Sequence, residues 1–317
     1  MKPKCFIFLV IMAFVTFLYA PIVLADSILG SAGETFAVLG HSSVTNVPTS
    51  TIVGNVGVSP GTAITGFNSS PGVAVSDPQV TGGLVHTTTT GPGSAAAALG
   101  DATAAYTGLA AMPFPLTNDF TGAPTLGGRT LTSGVYHFDA AAGLTGTLTL
   151  DAQGLNNAFW VFQIGSALTT ASSSVVQVIN LGTNGGIDDG VFWQVGSDAT
   201  LGGGLGAGTQ FEGNILALGS VTLITDATIE NGRVFALTGS VTLGQNTISI
   251  VCPNGGPGYS GGLKYDTDNT TIVPIGPSEG GGPTPVPEPA TMLLLGSGLI
   301  GLAGFARRKF KNVDHSK

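Results

Sequence analysis

Few side chains in this sequence stand where reactive chemistry would need them. His41, His86 and His137 occur singly and far apart, and there is no His-x-x-His or Cys-x-x-Cys pair, so the ligand spacing of a zinc site is missing. Asp188-Asp189 is the one adjacent acidic pair. Paired carboxylates serve glycosidases or hold a cation, but in this Gly-rich stretch they read as a solvated turn. Asp266-Thr267-Asp268-Asn269 begins like a calcium loop and then lacks the glycine and the closing glutamate. Gly202-Gly203-Gly204-Leu205-Gly206-Ala207 satisfies a loose G-x-G-x-x-A pattern without the following helix or the βαβ context, and reads as a coil turn. No nucleophile elbow, P-loop or zinc-protease motif is present. The sequence therefore predicts no catalytic residue, no metal and no cofactor; the chain reads as a non-enzyme.

What the chain offers instead is a surface. In Val221-Thr222-Leu223 and Val241-Thr242-Leu243 the flanking apolar residues point to one side of a strand and the threonine to the other. Ala199-Thr200-Leu201 and Leu148-Thr149-Leu150 have the same pattern. Thr200, Thr222 and Thr242 form the first candidate row. Thr209, Thr228 and Thr247, together with Ser174, form a competing one. Threonine combines a methyl, a hydroxyl and a stiff χ1. A flat ladder of such residues holds surface water in fixed positions, the hydroxyls pinning the layer and the methyls shaping its cage. The plainer reading of either row is ordinary sheet threonine on a solvated face.

The elements that would position these rows are short strands. Apolar and polar residues alternate over brief runs bounded by Gly and Asn. The runs also repeat. Ile215–Leu223 recurs as Val234–Leu243, and Thr228-Ile229 recurs as Thr247-Ile248, a period of 19 to 20 residues. Phe162–Ser166 recurs more loosely as Trp193–Ser197, 31 residues on, which leaves room for a loop around Asn184–Asp189. Such a period suits the coils of a β-solenoid; a sandwich or barrel, the rival architectures, needs no repeated coil length. One segment differs. Ser94–Met112 is Ala-rich, with Leu99, Ala102, Tyr106 and Leu109 at helical spacing, Ser94 to cap its start and Pro113 to limit its end. A helix of that length would lie along the full solenoid, its alanines allowing close approach.

Composition narrows the partners. Of 317 residues only 9% are charged, and Gly contributes 50. Seven of the ten basic residues sit at the two ends. Between Asp26 and Ala306 only Arg129, Arg233 and Lys264 are basic against 17 acidic residues, a net formal charge of −14. Such a body cannot neutralise a phosphate backbone, so a nucleic-acid partner is excluded. At the N-terminus Lys2 and Lys4 precede the apolar run Cys5–Leu18, and Val23-Leu24-Ala25 offers small residues at −3 and −1. Residues 1–25 read as a signal peptide, cleaved before Asp26. Cys252 is then the lone cysteine of the exported chain and reads as a buried thiol.

At the other end, Ala290–Ala306 is an apolar stretch of 17 residues, about 26 Å as a helix and at the short limit for a bilayer. Val286-Pro287-Glu288-Pro289 stands before it, and Arg307, Arg308, Lys309 and Lys311 follow, which keeps this end cytoplasmic. Pro287, Glu288, Pro289, Arg307 and Arg308 are the marks by which residues 286–311 resemble the bacterial PEP-CTERM sorting signal. That resemblance implies processing by an exosortase in a Gram-negative bacterium that exports polysaccharide. It also implies a cell-surface or extracellular protein, held in the membrane through the C-terminal helix before processing. Residues 254–285, rich in Gly, Pro, Ser and Thr, read as a spacer, and 312–317 as a cytoplasmic tail.

Residues 28–251 resemble the DUF3494 ice-binding proteins. The matching stretches are Leu29–Leu39, Gly54–Gly61, Leu131–Tyr136, Phe192–Ser197 and Gly232–Ala236. The resemblance implies an all-β-dominated domain over residues 26–253: an irregular right-handed β-helix with one long α-helix alongside, its early strands packed back against later coils. It implies an ice crystal surface as the partner, met through a flat Thr/Ser-rich face. The rival expectation is a structural or adhesive surface protein bound to extracellular polysaccharide. A polysaccharide lyase is a distant third, since no basic catalytic cluster is visible.

Overall fold

A computed structural model describes residues 27–47, 49–202, 208–251 and 258–276. Three parallel sheets of nine, seven and eight strands dominate it, one strand of each sheet coming from each coil of a β-helix. The first sheet runs Gly134–Phe138, Phe159–Ile164, Gly190–Val195, Asn214–Ala217, Val234–Ala236, Phe36–Gly40, Asn55–Val58 and Val85–Thr87, with Ala74–Val75 antiparallel at its edge. The second runs Ala142–Leu144, Leu168–Thr170, Ala199–Leu201, Val221–Leu223, Val241–Leu243, Ser43–Asn46 and Ala63–Thr65. The third runs Thr130–Thr132, Thr147–Asp151, Val175–Ile179, Gln210–Glu212, Thr228–Glu230, Thr247–Ser249, Thr51–Val53 and Val80–Thr81.

The repeats seen in the sequence are the coils. Ile215 lies beside Val234, Val221 beside Val241, and Phe162 beside Trp193. Chain order is not stacking order, however. The first strands close onto the last coil, with Val38 against Val234, Val44 against Val241 and Thr51 against Thr247. The interior is filled by the inward residues of all three sheets. It includes an aromatic stack with ring centroids 5.7 Å apart for Tyr136–Phe162, 3.9 Å for Phe162–Trp193 and 4.7 Å for Trp193–Phe211.

The first sheet is buried on both faces, which explains its near-continuous apolar runs such as Phe159–Ile164. Val135, Val161, Phe192, Leu216 and Phe235 point away from the interior into a second core under the long helix, Ala95–Ala110. Ser94 caps that helix, accepting from the Ala97 N–H at 3.1 Å. Its last turn is satisfied by the buried Gln163, whose Nε2 donates to the carbonyls of Leu109 at 2.7 Å and Met112 at 2.8 Å. The tight face is built from Ala95, Ala98, Ala102, Ala105 and Leu109, while Leu99 and Tyr106 are only partly buried at its flanks. The 16 residues rise about 24 Å. Asn55–Val58, at Ala95, and Phe159–Ile164, at Gln163, are the two ends of a run of six strands, whose five gaps of about 4.8 Å give the same length. The helix thus covers six of the nine strands rather than the whole sheet. At Gly57 any Cβ would lie 2.6 Å from the Phe36 ring and 3.0 Å from Ala95 Cβ, so the close approach requires glycine.

The N-terminal segment is pinned to this side. Asp101 accepts from the N–H groups of Ala32 and Gly33 at 3.0 and 3.2 Å. The fully buried Arg233 pairs with Glu34 and donates to Asn214 Oδ1 at 2.8 Å and the Gly258 carbonyl at 3.1 Å.

The expected spacer at 254–285 needs correction. Leu263–Tyr265 and Ile272–Pro274 pair as an antiparallel hairpin, and buried Leu263 and Ile272 join the core under the helix. Polar loop composition concealed two short strands that only this packing stabilises. The calcium-like run forms the hairpin tip, where Asp266 and Asp268 accept backbone N–H groups of Thr267 at 2.6 Å and Thr270 at 2.9 Å. The signal peptide, Gly203–Ala207, Cys252 and the sorting segment 286–311 with its tail lie outside the described residues.

Candidate functional surface

The second sheet brings the first candidate row together and extends it at both ends. Thr200 lies beside Thr222, Thr222 beside Thr242, and Thr242 beside Thr45. Thr45 lies beside Thr65, and at the other end Thr169 lies beside Thr200. Six threonines thus occupy one register line on six neighbouring strands. At about 4.8 Å per strand the line is roughly 24 Å long. Their neighbours along each strand, such as Val221 and Leu223 or Val44, are buried in the interior, so the threonines face outward. Thr65, Thr169 and Thr242 are exposed; Thr45, Thr200 and Thr222 are half-buried between their neighbours. Among the described residues none of the six hydroxyls has a hydrogen-bond partner in the protein, so each is available to water. Beyond Thr169 the line meets Gly143 and then Thr125.

No strand of this sheet carries an ionisable side chain. Two positions upstream of Thr45, Thr242, Thr222 and Thr200 lie Ser43, Ser240, Ser220 and Asp198, the last tied down by the Ser220 N–H at 2.7 Å; Ala63 and Ala167 take that place before Thr65 and Thr169. Among the described residues no helix crosses the sheet. It is therefore an open, almost charge-free plane with hydroxyls and methyls at strand spacing.

The competing row breaks on inspection of its register. Thr228 and Thr247 are adjacent and Thr51 continues them, but the residue beside Thr228 is Gln210, followed by Val175. Thr209 and Ser174 are fully buried. Thr209 Oγ1 shares a hydrogen bond with Thr170 Oγ1 at 2.8 Å, and Ser174 Oγ donates to the Leu144 carbonyl at 2.9 Å. The expectation that they line a surface fails because Gln210 is only 18 residues before Thr228. A one-residue slip in register turns a side chain to the other face. Thr149, grouped in the sequence with Thr222, lies on this third sheet beside Thr130 and Gln177. The sheet also carries Asp151, Glu212 and Glu230.

Other residues singled out in the sequence stand apart from both rows. His86 is buried against Phe36, with ring centroids 5.0 Å apart; burial lowers its pKa. His137 stacks on Phe114 at 4.3 Å and lies 3.3 Å from Asp119. Asp188-Asp189 is not a solvated turn: Asp189 is fully buried, accepts the Ala158 N–H at 2.8 Å and leaves Oδ2 without a partner. Burial, with a further push from Asp188, raises its carboxyl to about 7. The loop closes over the body through the buried Ala158 and Tyr259 backbone, a non-local packing that its composition did not reveal.

The chain was compared with known proteins. Residues 38–249 match the family described as ice-binding-like, and residues 285–309 match the PEP-CTERM protein-sorting motif. An ice-binding protein of Nostoc sp. (strain HG1) is 41% identical over 309 residues, 97% of each chain. An ice-binding protein of Leucosporidium sp. (strain AY30) is 37% identical over 232 residues, 70% of this chain and 82% of that one. Among solved structures, the ice-binding protein of the Antarctic ascomycete Antarctomyces psychrotrophicus superposes with a TM-score of 0.58 at 33% identity, covering 71% of this chain and 98% of that one. The DUF3494 domain of Shewanella frigidimarina ice-binding protein 1 gives 0.59 at 31% identity, covering 71% and 97%.

Proposed function

Since the chain belongs to the ice-binding-like family, we propose that it binds ice, and that the threonine line of the second sheet is the contacting surface. The observation that carries this reading is the line itself: Thr65, Thr45, Thr242, Thr222, Thr200 and Thr169 in unbroken register on an uncovered plane. Ice presents a repeating array of oxygens, so a contact that repeats across a face adds many weak interactions without needing a strongly directional one. Unpartnered hydroxyls hydrogen-bond water at fixed spacing, and the methyls between them favour a cage-like first layer. The strands are braced from behind by the interior core, so the hydroxyls are presented on a rigid surface and little freedom remains to be lost on binding. A bound molecule pins the front, which then advances only as a curved surface. The relatives compared above are ice-binding proteins, and none is named as an enzyme.

The sorting motif at 285–309 implies export and sorting to the cell surface. We further read the C-terminal segment as a transient membrane anchor on which an exosortase acts. Extracellular polysaccharide is the partner to test if ice fails.

The test is thermal hysteresis and ice-recrystallisation inhibition on the exported protein, beside Thr222→Tyr and Thr228→Tyr. A bulky ring at Thr222 lifts its neighbours from a flat crystal, and activity falls sharply; the same ring at Thr228 leaves it intact. Both variants should keep their stability to within about 0.5 kcal/mol, since each side chain faces solvent. Loss only in Thr228→Tyr moves the site to the third sheet, and a folded, inactive wild type hands the case to the polysaccharide reading.

A further inference from the structure

The threonine line is flanked by a second, shorter rank of hydroxyls. Ser-Val-Thr occurs three times in the sequence, at Ser43-Val44-Thr45, Ser220-Val221-Thr222 and Ser240-Val241-Thr242. The tertiary structure sets the three copies side by side, Val221 pairing with Val241 and Val241 with Val44. Each of these valines is fully buried, so the serine and the threonine on either side of it share the outward face. Lateral bonds keep the serines in step: the Val221 N–H donates to the Ser240 carbonyl at 2.9 Å, and the Ser240 N–H to Ser220 Oγ at 3.2 Å. Among the described residues the hydroxyls of Ser43 and Ser240 have no partner in the protein, and Ser220 only accepts, so its proton is unspent. The three copies form a grid of two ranks on three strands, about 4.8 Å apart across the strands and about 6.7 Å along them. The serine rank ends where the line continues: Ala63 precedes Ile64-Thr65 on one side, and Asp198 precedes Ala199-Thr200 on the other.

We propose that Ser43, Ser240 and Ser220 select the crystal plane that the protein meets; the inference rests on the reading of the threonine line as the ice contact. A single line repeats in one direction. Every crystal plane that contains a lattice row of that spacing satisfies it, so the line supplies adhesion without choosing among those planes. A second rank adds a second repeat. A plane that matches the line alone leaves the serine hydroxyls facing misplaced water oxygens, and specificity is this difference between planes. Asp198 closes the rank with a charge. Its Oδ1 accepts the Ser220 N–H at 2.7 Å, the bond that Ser220 Oγ accepts from Ser240 on the next coil. A serine hydroxyl therefore does at one coil what the carboxylate does at its neighbour, and Asp198→Ser extends the grid to a fourth strand while keeping an acceptor for that N–H.

The test uses the exported protein, fluorescently labelled and adsorbed to a hemisphere grown from a single ice crystal, where each bound plane lights up at its own position. The wild type should light discrete patches. Ser43→Ala/Ser240→Ala removes two of the three serine hydroxyls and no side-chain hydrogen bond within the described protein, so its circular dichroism and melting temperature should match the wild type. Its patches should spread into a continuous band, the family of planes that share the repeat of the line, and thermal hysteresis should fall at least twofold. Asp198→Ser should keep the patches discrete and raise thermal hysteresis. A folded double variant that lights the same discrete patches as the wild type overturns the plane assignment and leaves the threonine line standing. So does a wild type that already lights a continuous band. A folded wild type that leaves the hemisphere dark overturns the ice reading itself, and this assignment with it.

Discussion

The second and third sheets are built from the same coils by the same alternation, yet they present different surfaces. Each buries its inward-facing Val, Leu, Ile and Phe residues in one shared interior. On the outside, the second sheet repeats threonine on six strands in register and carries no ionisable strand residue. The third interrupts Thr51, Thr247 and Thr228 with Gln210 and Val175, and adds Glu212 and Glu230 one step along. The interior demands apolar volume at every coil, so both sheets satisfy it alike. Nothing in the fold demands that outward residues match from coil to coil. A run of six identical ones on one sheet is therefore a statement about the surface, not about folding.

Giving the second sheet what the third has should do the most damage. Thr200→Glu places a charge in the middle of the line, where its tightly held hydration competes with an ice-like layer. Thermal hysteresis should drop by an order of magnitude or more, while circular dichroism and melting temperature stay close to wild type. Retained activity would mean that the line is not the contact surface.

Acidity should separate the two sheets by a smaller margin. Asp189 and Glu212 have folded pKa values of about 7 and about 8 against reference values of 3.8 and 4.5. Raised folded values mean that the native state binds more protons than the unfolded one. The stability they contribute is then full below about pH 4 and lost as pH rises through 7 and 8. The melting temperature should fall from pH 5 to pH 9, and the fall should flatten in Asp189→Asn/Glu212→Gln. Ice activity at temperatures where the protein stays folded should hold constant over that range, because no second-sheet strand titrates. Activity that follows the melting curve would tie the function to the acidic sheet.

The smallest effect is a gain. Gly143 interrupts the line between Thr169 and Thr125. A Cβ there would meet nothing closer than the Pro124 carbonyl at 3.9 Å, and its φ is not in the left-handed region. Gly143→Thr should raise recrystallisation inhibition modestly and not lower stability, since threonine is favoured over glycine in strands. An unchanged endpoint with a folded variant would confine the working surface to the six-threonine segment.

By itself the sequence determined the coil period, the inward–outward alternation, the equivalence of Thr222 and Thr242, and one capped alanine-rich helix. These are local properties: strand alternation has a period of two, helical spacing a period of 3.6, and a repeat aligns with its own copy. The C-terminal sorting motif was legible for the same reason, as a contiguous string matched at 285–309. Tertiary structure alone decided the rest. Thr45 and Thr65 join the line only because the first strands close onto the last coil, a pairing across nearly two hundred residues. Thr209 and Ser174 left it because an 18-residue spacing between Gln210 and Thr228 turned them into the interior, where their hydroxyls satisfy each corner's backbone and side chains. The meeting of Glu212 with Glu230 and the docking of the Leu263–Tyr265 hairpin under the helix depend likewise on lateral stacking. Lateral register in a parallel stack is set by the sum of turn lengths and interior fit across coils, and a single-residue change in one turn inverts which side a residue faces.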